Sequence, residues 1–222
     1  LDPNLIPATD IDGIVFSGTY PNSSTAFVID TVNFYNFRKA ILIEDNALPH
    51  PGTPDWQCDC VKVDSCAFFM NTTGVYFNAD NADDWVFRNC QFASGDSSQH
   101  LHLMRAGLMT ILGCFGGKVT SGAPVNVYGI LVDGDGLFDT INIITSQWEN
   151  TTDMIRVNTS YYPNRPVGAM KIIMNGSIAE SDITIGGACN YISIASRYTN
   201  NVFVTGSDVI CESYSDYFGP TL

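Results

Sequence analysis

A chain of 222 residues with 45% apolar side chains can bury a substantial core, and its 23 acidic against 10 basic residues give a net charge of −13. That balance excludes a broad phosphate-binding face for nucleic acid and adhesion to an anionic membrane, and it suits a neutral or cationic partner, or a polyanion bridged by calcium. Abundant Gly, Asn, Ser and Thr, with few Lys and Glu, is an all-β composition, and no apolar run is long enough for a membrane-spanning helix.

In chain order, residues 1–13 read as a lead-in, with Pro3 and Pro7 barring a central strand. Strand-like alternation begins at Ile14 (IVFSGTY) and Phe27 (FVIDTVNF), and a second alternating run follows at Ala40 (AILIED). Segment 44–60 contains His50, Asp55, Trp56 and three prolines, which exclude it from a sheet and make it an excursion loop.

The most regular stretch comes next. VKVDSCAF, WVFRNCQF and MTILGCFG place Cys66, Cys90 and Cys114 at equal intervals of 24 residues. In each copy the inward beat changes phase between the paired apolar residues and the cysteine, so a corner lies between them, at Asp64-Ser65, Arg88-Asn89 and Leu112-Gly113. A strand this short cannot bury a face alone, and regular repetition lets neighbouring coils cover one another. The three cysteines are expected to form an interior column of free thiols acting as small hydrophobes. Second strands follow each copy: GVYFN at Gly74, HLHLMR at His100, GILVDG at Gly129, MIRVN at Met154 and YISIAS at Tyr191. Segment LHLMRAGLMTIL also fits a helical pattern, but the HLHL alternation and the register of Cys114 favour strand.

Further excursions are GGKVTSGAPVNVYG and segment 158–170, which holds Tyr161, Tyr162 and Arg165. Looser copies at Ile141, Ile183 and Val202 carry the pattern to Ile210, and residues 211–222 form an aromatic tail. Five Asn-x-Ser/Thr tripeptides, at Asn22, Asn71, Asn150, Asn158 and Asn175, are glycan acceptors if a eukaryotic secretory pathway makes the chain; turn composition alone also produces such tripeptides.

VFRNCQF, MTILGCF and VNFYNFRKAILI, each a strand pair near a small corner residue, resemble the pectate-lyase-like right-handed parallel β-helix superfamily over roughly residues 14–210. Within it, the brevity and low basic content look most like the β-helical spikes and appendages of tailed bacteriophages. The resemblance implies a single-stranded right-handed solenoid of roughly 8–9 coils. It also implies a polysaccharide partner that is bound or cleaved by hydrolysis or elimination, a homotrimer, and an extracellular or virion-surface location. A non-catalytic structural or adhesin role, with the outer face mediating trimer assembly, is the alternative. The NTD, GDD, GHG and RIK blocks of polygalacturonase-like hydrolases are absent, and Asp133-Gly134-Asp135-Gly136 lacks the paired aspartates.

Glycoside hydrolysis needs two carboxyl groups about 5–10 Å apart, and Asp84 with Asp133 or Asp135 is the expected catalytic set. No cofactor is expected beyond a weak calcium site at Asp133, Asp135 and Asp139, which departs from the EF-hand pattern at Leu137. Outward positions on the second strands, in expected register, are Leu42, Tyr76, His102, Leu131, Arg156 and Ser193. Excursions 44–60 and 158–170 leave at one corner, four coils apart, and would wall a trough whose floor presents Tyr76, His102, Arg105 and Arg156. Trp56, Tyr161 and Tyr162 would line its sides, where aromatic faces suit the apolar faces of sugars. His100 and His102 have no adjacent Ser or Cys motif of a hydrolytic triad.

Overall fold

A computed structural model describes residues 11–18, 25–45, 58–79, 82–133, 140–158, 171–186, 191–196, 198–199, 201–204 and 210–215. The chain winds as successive three-stranded coils. β1 (Asp12–Gly18), β2 (Val28–Asp30) and β3 (Asn33–Tyr35) are followed by β4 (Lys39–Asp45), β5 (Lys62–Asp64) and β6 (Ala67–Phe69). Next come β7 (Thr73–Asn78), β8 (Trp85–Arg88), β9 (Gln91–Ser94), β10 (Gln99–Arg105), β11 (Met109–Leu112) and β12 (Phe115–Lys118). The path continues through β13 (Tyr128–Val132), β14 (Thr140–Ile144), β15 (Gln147–Glu149), β16 (Asp153–Val157), β17 (Lys171–Asn175) and β18 (Ile178–Ala179). It ends with β19 (Asp182–Ile185), β20 (Tyr191–Ser196), β21 (Tyr198–Thr199), β22 (Val202–Val204) and β23 (Ile210–Ser215).

Every third strand joins the same sheet. The first holds β1, β4, β7, β10, β13, β16, β19 and β22; the second β2, β5, β8, β11, β14, β17, β20 and β23; the third β3, β6, β9, β12, β15, β18 and β21. All pairings are parallel, and no helix occurs among the described residues, so the molecule is a parallel β-helix. Segment 101–112 is not helical: it is the end of β10 and the whole of β11, joined by a corner at 106–108. Strand β23 carries the solenoid beyond residue 210, and β1 starts at Asp12.

The phase of the repeat differs from expectation at the two ends. Segments at Ile14, Ile183 and Val202 resemble the Cys-bearing strand in pattern, yet β1, β19 and β22 belong to the first sheet, while YISIAS is β20 of the second. Both sheets alternate with the same period, so alternation alone does not distinguish them.

Columns of like residues fill the bore. Ile41, Val75, Leu101, Ile130, Ile155 and Ile183 line the first sheet; Val63, Phe87, Ile111, Ile143, Met174 and Ile194 line the second. On the third sheet Phe34 and Phe68 stack at 4.9 Å, and Phe68 and Phe92 at 4.7 Å. Gly116 takes the next place, and the Trp148 indole fills the space it leaves, reaching toward Phe92 at 6.5 Å.

The corner between second and third sheets is one motif repeated. Thr31, Ser65, Asn89, Gly113, Thr145 and Gly176 all have φ between 45° and 62°. The next residue points inward, giving the column Cys66, Cys90, Cys114, Ser146 and Ser177, all buried. Thiol Sγ atoms approach carbonyls one coil back, Cys66 to Ile29 at 3.5 Å and Cys90 to Val63 at 3.4 Å, while the Ser146 and Ser177 hydroxyls accept from the amides of Cys114 and Ser146. The expected thiol column is present, and Cys58, Cys60, Cys66, Cys90 and Cys114 are all free. Burial pushes the Cys58 thiol up to about 12 and also raises Cys66, while the hydrogen bond between Cys90 and Cys114 raises Cys90 and lowers Cys114; all four are buried.

Candidate functional site

The parallel register of the first sheet turns one residue per coil outward in a single row. Val15 pairs with Leu42, Leu42 with Tyr76, Tyr76 with His102, His102 with Leu131, Leu131 with Arg156, Arg156 with Thr184, and Thr184 with Phe203. The expected line of Leu42, Tyr76, His102, Leu131 and Arg156 is therefore brought together. Its sixth member is Thr184 rather than Ser193, which sits on β20 of the second sheet.

Within the row, Tyr76 and His102 meet edge to face with centroids 5.0 Å apart. The Lys39 ammonium lies 3.8 Å from the centroid of the Tyr76 ring. Burial raises the Tyr76 phenol above its ordinary range and lowers His102 below its own, so both are neutral near pH 7. Leu42 and Leu131, though outward, are only 6% and 5% exposed, and His102 Nε2 is shielded from solvent with no hydrogen-bond partner. The centre of the row is thus shielded from water.

Toward the C-terminal end the row becomes a clamped cation. Arg156 donates to Asp153 at 3.2 Å and to Asn158 at 2.8 Å, with its guanidinium 5.6 Å from the Tyr128 ring centroid. Asp153 is buried and accepts a further bond from Thr184 at 2.6 Å. Arg105, at the end of β10, donates to the Asn78 side chain and carbonyl, each at 3.0 Å. These residues offer aromatic faces and fixed donors along one straight line.

The expected carboxylates are less assembled. Asp84 and Asp133 are exposed, and among the described residues no hydrogen bond or ion pair joins them. Asp84 has φ of 55° at the turn into β8. Its neighbour Asp83 is a corner brace, accepting from the Leu108 amide at 3.1 Å and packing where a Cβ on Gly107 would fall. Asp59 is raised, by burial first, then by the charges of Asp83 and Asp84. Trp56, Asp135, Asp139, Tyr161 and Tyr162 lie outside the described residues. The described chain does leave β4 and β16 at the same corner, on its way from the first sheet to the second, as the trough reading requires. Among the described residues no group of three or more His, Cys, Asp or Glu could hold a metal. Of the sequons, Asn71 is buried, donating to the Phe34 carbonyl and accepting from the Phe37 amide, so it is closed to a glycan.

The sequence gives no sign of two buried polar clusters. His100 lies 2.9 Å from Ser94 Oγ, a Ser–His pair that short motifs do not reveal. Trp148 Nε1 donates to His100 Nδ1 at 3.0 Å, so the imidazole proton is on Nε2 and points at Ser94. That tautomer cannot take a proton from the serine, and His100 is buried, so the pair is structural rather than hydrolytic. Ser98 lies 2.7 Å from Ser94 Oγ and 2.6 Å from the Gly95 carbonyl, where the chain of donors ends. The second cluster surrounds Lys118, whose ammonium donates to Asp96 at 2.8 Å and Ala123 at 2.9 Å, and pins loop 119–126. Comparison with protein-family models, with curated proteins and with solved structures finds no match to this chain.

Proposed function

We propose that this chain is a polysaccharide-binding domain, of the kind found in pectate-lyase-like spikes and appendages, displayed outside a cell or on a virion. The supporting observation is the outward row of the first sheet. Leu42, Tyr76, His102, Leu131 and Arg156 occupy five successive coils in unbroken register, about 19 Å from end to end at ~4.8 Å per coil. That length suits several sugar units. Aromatic edges and apolar Leu side chains suit the C–H faces of pyranose rings, and clamped Arg156 and Arg105 suit hydroxyl or acidic substituents.

Binding to a printed array of microbial and plant glycans tests this reading. Tyr76→Ala and Arg156→Ala should each lower affinity for the best ligand tenfold or more, about 1.4 kcal/mol, in protein whose β-sheet circular dichroism is intact, with a lower melting temperature in Arg156→Ala because buried Asp153 loses its cation. Wild-type levels of binding in both variants would move the site elsewhere. Cleavage is part of the proposal through Asp84, Asp133 and Asp135. It is read as reducing ends released, or as ultraviolet absorbance from unsaturated sugars, on the glycans that bind.

A second reading, a non-catalytic spike assembled as a homotrimer, rests on a different face. The second sheet turns Val86, Leu112, Ile144 and Ile173 outward, where water would favour polar residues.

A further inference from the structure

The inward column that follows the corner between second and third sheets changes character along the solenoid. It holds thiols at Cys66, Cys90 and Cys114, then hydroxyls at Ser146 and Ser177. The Ser146 hydroxyl is well satisfied, donating to the Ile144 carbonyl at 3.0 Å and accepting from the Cys114 amide at 3.1 Å. The thiols make longer contacts. Cys90 Sγ lies 3.4 Å from the carbonyls of Val63 and Arg88, and Cys114 Sγ lies 3.6 Å and 3.7 Å from those of Phe87 and Leu112. A hydrogen bond joins the Cys90 and Cys114 side chains directly. Two soft donor atoms therefore meet in the core, and the function proposed above uses neither.

Their separation is fixed from both sides. Arg88 pairs with Leu112 before the corner and Gln91 with Phe115 after it, so Cys90 and Cys114 are neighbours on successive coils, about 4.8 Å apart. Both side chains point inward from the same place in the coil, so their Cβ atoms keep roughly that spacing, wider than the roughly 3.5–4.5 Å of a disulfide. A two-coordinate metal ion fits it better. Two metal–thiolate bonds of about 2.3 Å, laid end to end, span about 4.6 Å. No group of three or more His, Cys, Asp or Glu converges among the described residues, which leaves zinc without four ligands and calcium without an oxygen cage. Soft thiolates with no further donor suit a soft monovalent ion such as Cu(I). The approach is short, because Asn89 and Gly113, just before the two cysteines, are exposed at the corner.

We propose that Cys90 and Cys114 form a two-coordinate site for a soft monovalent cation of the Cu(I) class, bridging two successive coils. The ion bonds to both sulfurs and both thiol protons leave to solvent, so binding tightens as pH rises. It also ties the folded coils together, and a ligand held only by the folded chain stabilises it. The site is independent of the glycan reading.

Silver(I), the redox-inert member of this class, is the probe, and Zn(II) is the control. Reduced protein is loaded, challenged with excess glutathione to strip ions held by single exposed thiols such as Cys60, and weighed by native mass spectrometry. Wild type is expected to retain at least one silver ion and no zinc, with a raised melting temperature. Cys90→Ser and Cys114→Ser should each retain one silver ion fewer, and Cys66→Ser as many as wild type. Serine already occupies this column at Ser146 and Ser177, so the variants should fold, which β-sheet circular dichroism checks. No silver on wild type, or equal counts in wild type, Cys90→Ser and Cys114→Ser, would overturn the site. Loss of an ion in Cys66→Ser would overturn the assigned pair, and retention of zinc the assigned class of ion. None of these results bears on glycan binding.

Discussion

His100 has no route to water and no acid to receive a charge. Its two nitrogens are committed to Trp148 and Ser94, and the Phe92 ring stacks on it at 5.7 Å. Burial lowers it from an ordinary 6.5 to about 3. The unfolded chain therefore binds a proton near pH 6.5 that the folded chain refuses until about pH 3, and stability falls as pH drops through that window. The slope is about 1.4 kcal/mol per pH unit below pH 6.5, so a fall from pH 7 to pH 4.5 should cost about 2.5 kcal/mol from this residue. His102, lowered by burial, adds to the loss in the same direction. Asp12, Asp64 and Asp96, each held low first by a hydrogen bond to a cation, add theirs only in more acidic solution. Denaturant melts at pH 7 and 4.5 measure this. His100→Gln, which keeps an acceptor for Trp148, should recover most of the His100 contribution. An unchanged pH slope in that variant would show that another group is responsible.

At the scale of the element, the corner between second and third sheets decides what each coil tolerates. Its first residue adopts positive φ, which costs an ordinary L-residue roughly 1–2 kcal/mol and a β-branched one most. Gly113 suits the position; Thr145, at φ 45°, does not. Thr145→Gly should stabilise the protein by about 0.5–1 kcal/mol, and Gly113→Thr should destabilise it by a similar or larger amount, in urea melts. If the two swaps have the same sign, the corners are not equivalent. Gly116 is constrained for a different reason, because a Cβ there would sit 2.1 Å from Trp148 Nε1. Gly116→Ala should cost about 3 kcal/mol, since the indole is held by His100 and cannot move aside. The corner also explains what was readable in sequence. Ser65-Cys66, Asn89-Cys90 and Gly113-Cys114 mark their coils through a small or turn-forming residue followed by an inward one. The segment at Ile183 imitates the marker with Gly186-Gly187 ahead of Cys189 although β19 lies in the first sheet, Tyr191 opens a second-sheet strand that has no cysteine directly after it, and alternation serves the first and second sheets equally. Their phases were therefore not legible, and Ser193 was expected in a row to which Thr184 belongs. Tyr76, His102 and Arg156 were legible because period-2 alternation in registered coils fixes which side chains face outward. The His100 and Lys118 clusters were not, because each joins residues that only the winding of the coils brings together.

For the whole molecule, the distribution of apolar surface bears on assembly. Of the second sheet's two outward rows, one begins polar, where Asp64 pairs with Arg88, and becomes apolar at Leu112 and Ile144, while the other holds Val28, Val86 and Ile173 among polar residues. Phe203 ends the outward row of the first sheet and takes no part in this face. Leu112, Ile144 and Ile173 are half-buried in the single chain. Interfaces between permanent partners are more apolar than ordinary surface, and a threefold axis parallel to the solenoid would bury this band once per chain. Light scattering at micromolar concentration should then give three times the chain mass. Leu112→Glu places a charge at an outward position with no interior contact to lose, so it should leave the β-sheet circular dichroism intact while reducing the mass to that of one chain. A wild-type chain that scatters as a monomer would remove the trimer. Glycan binding by such a monomer would then have to come from the first-sheet row of one chain alone, because each row lies within a single solenoid.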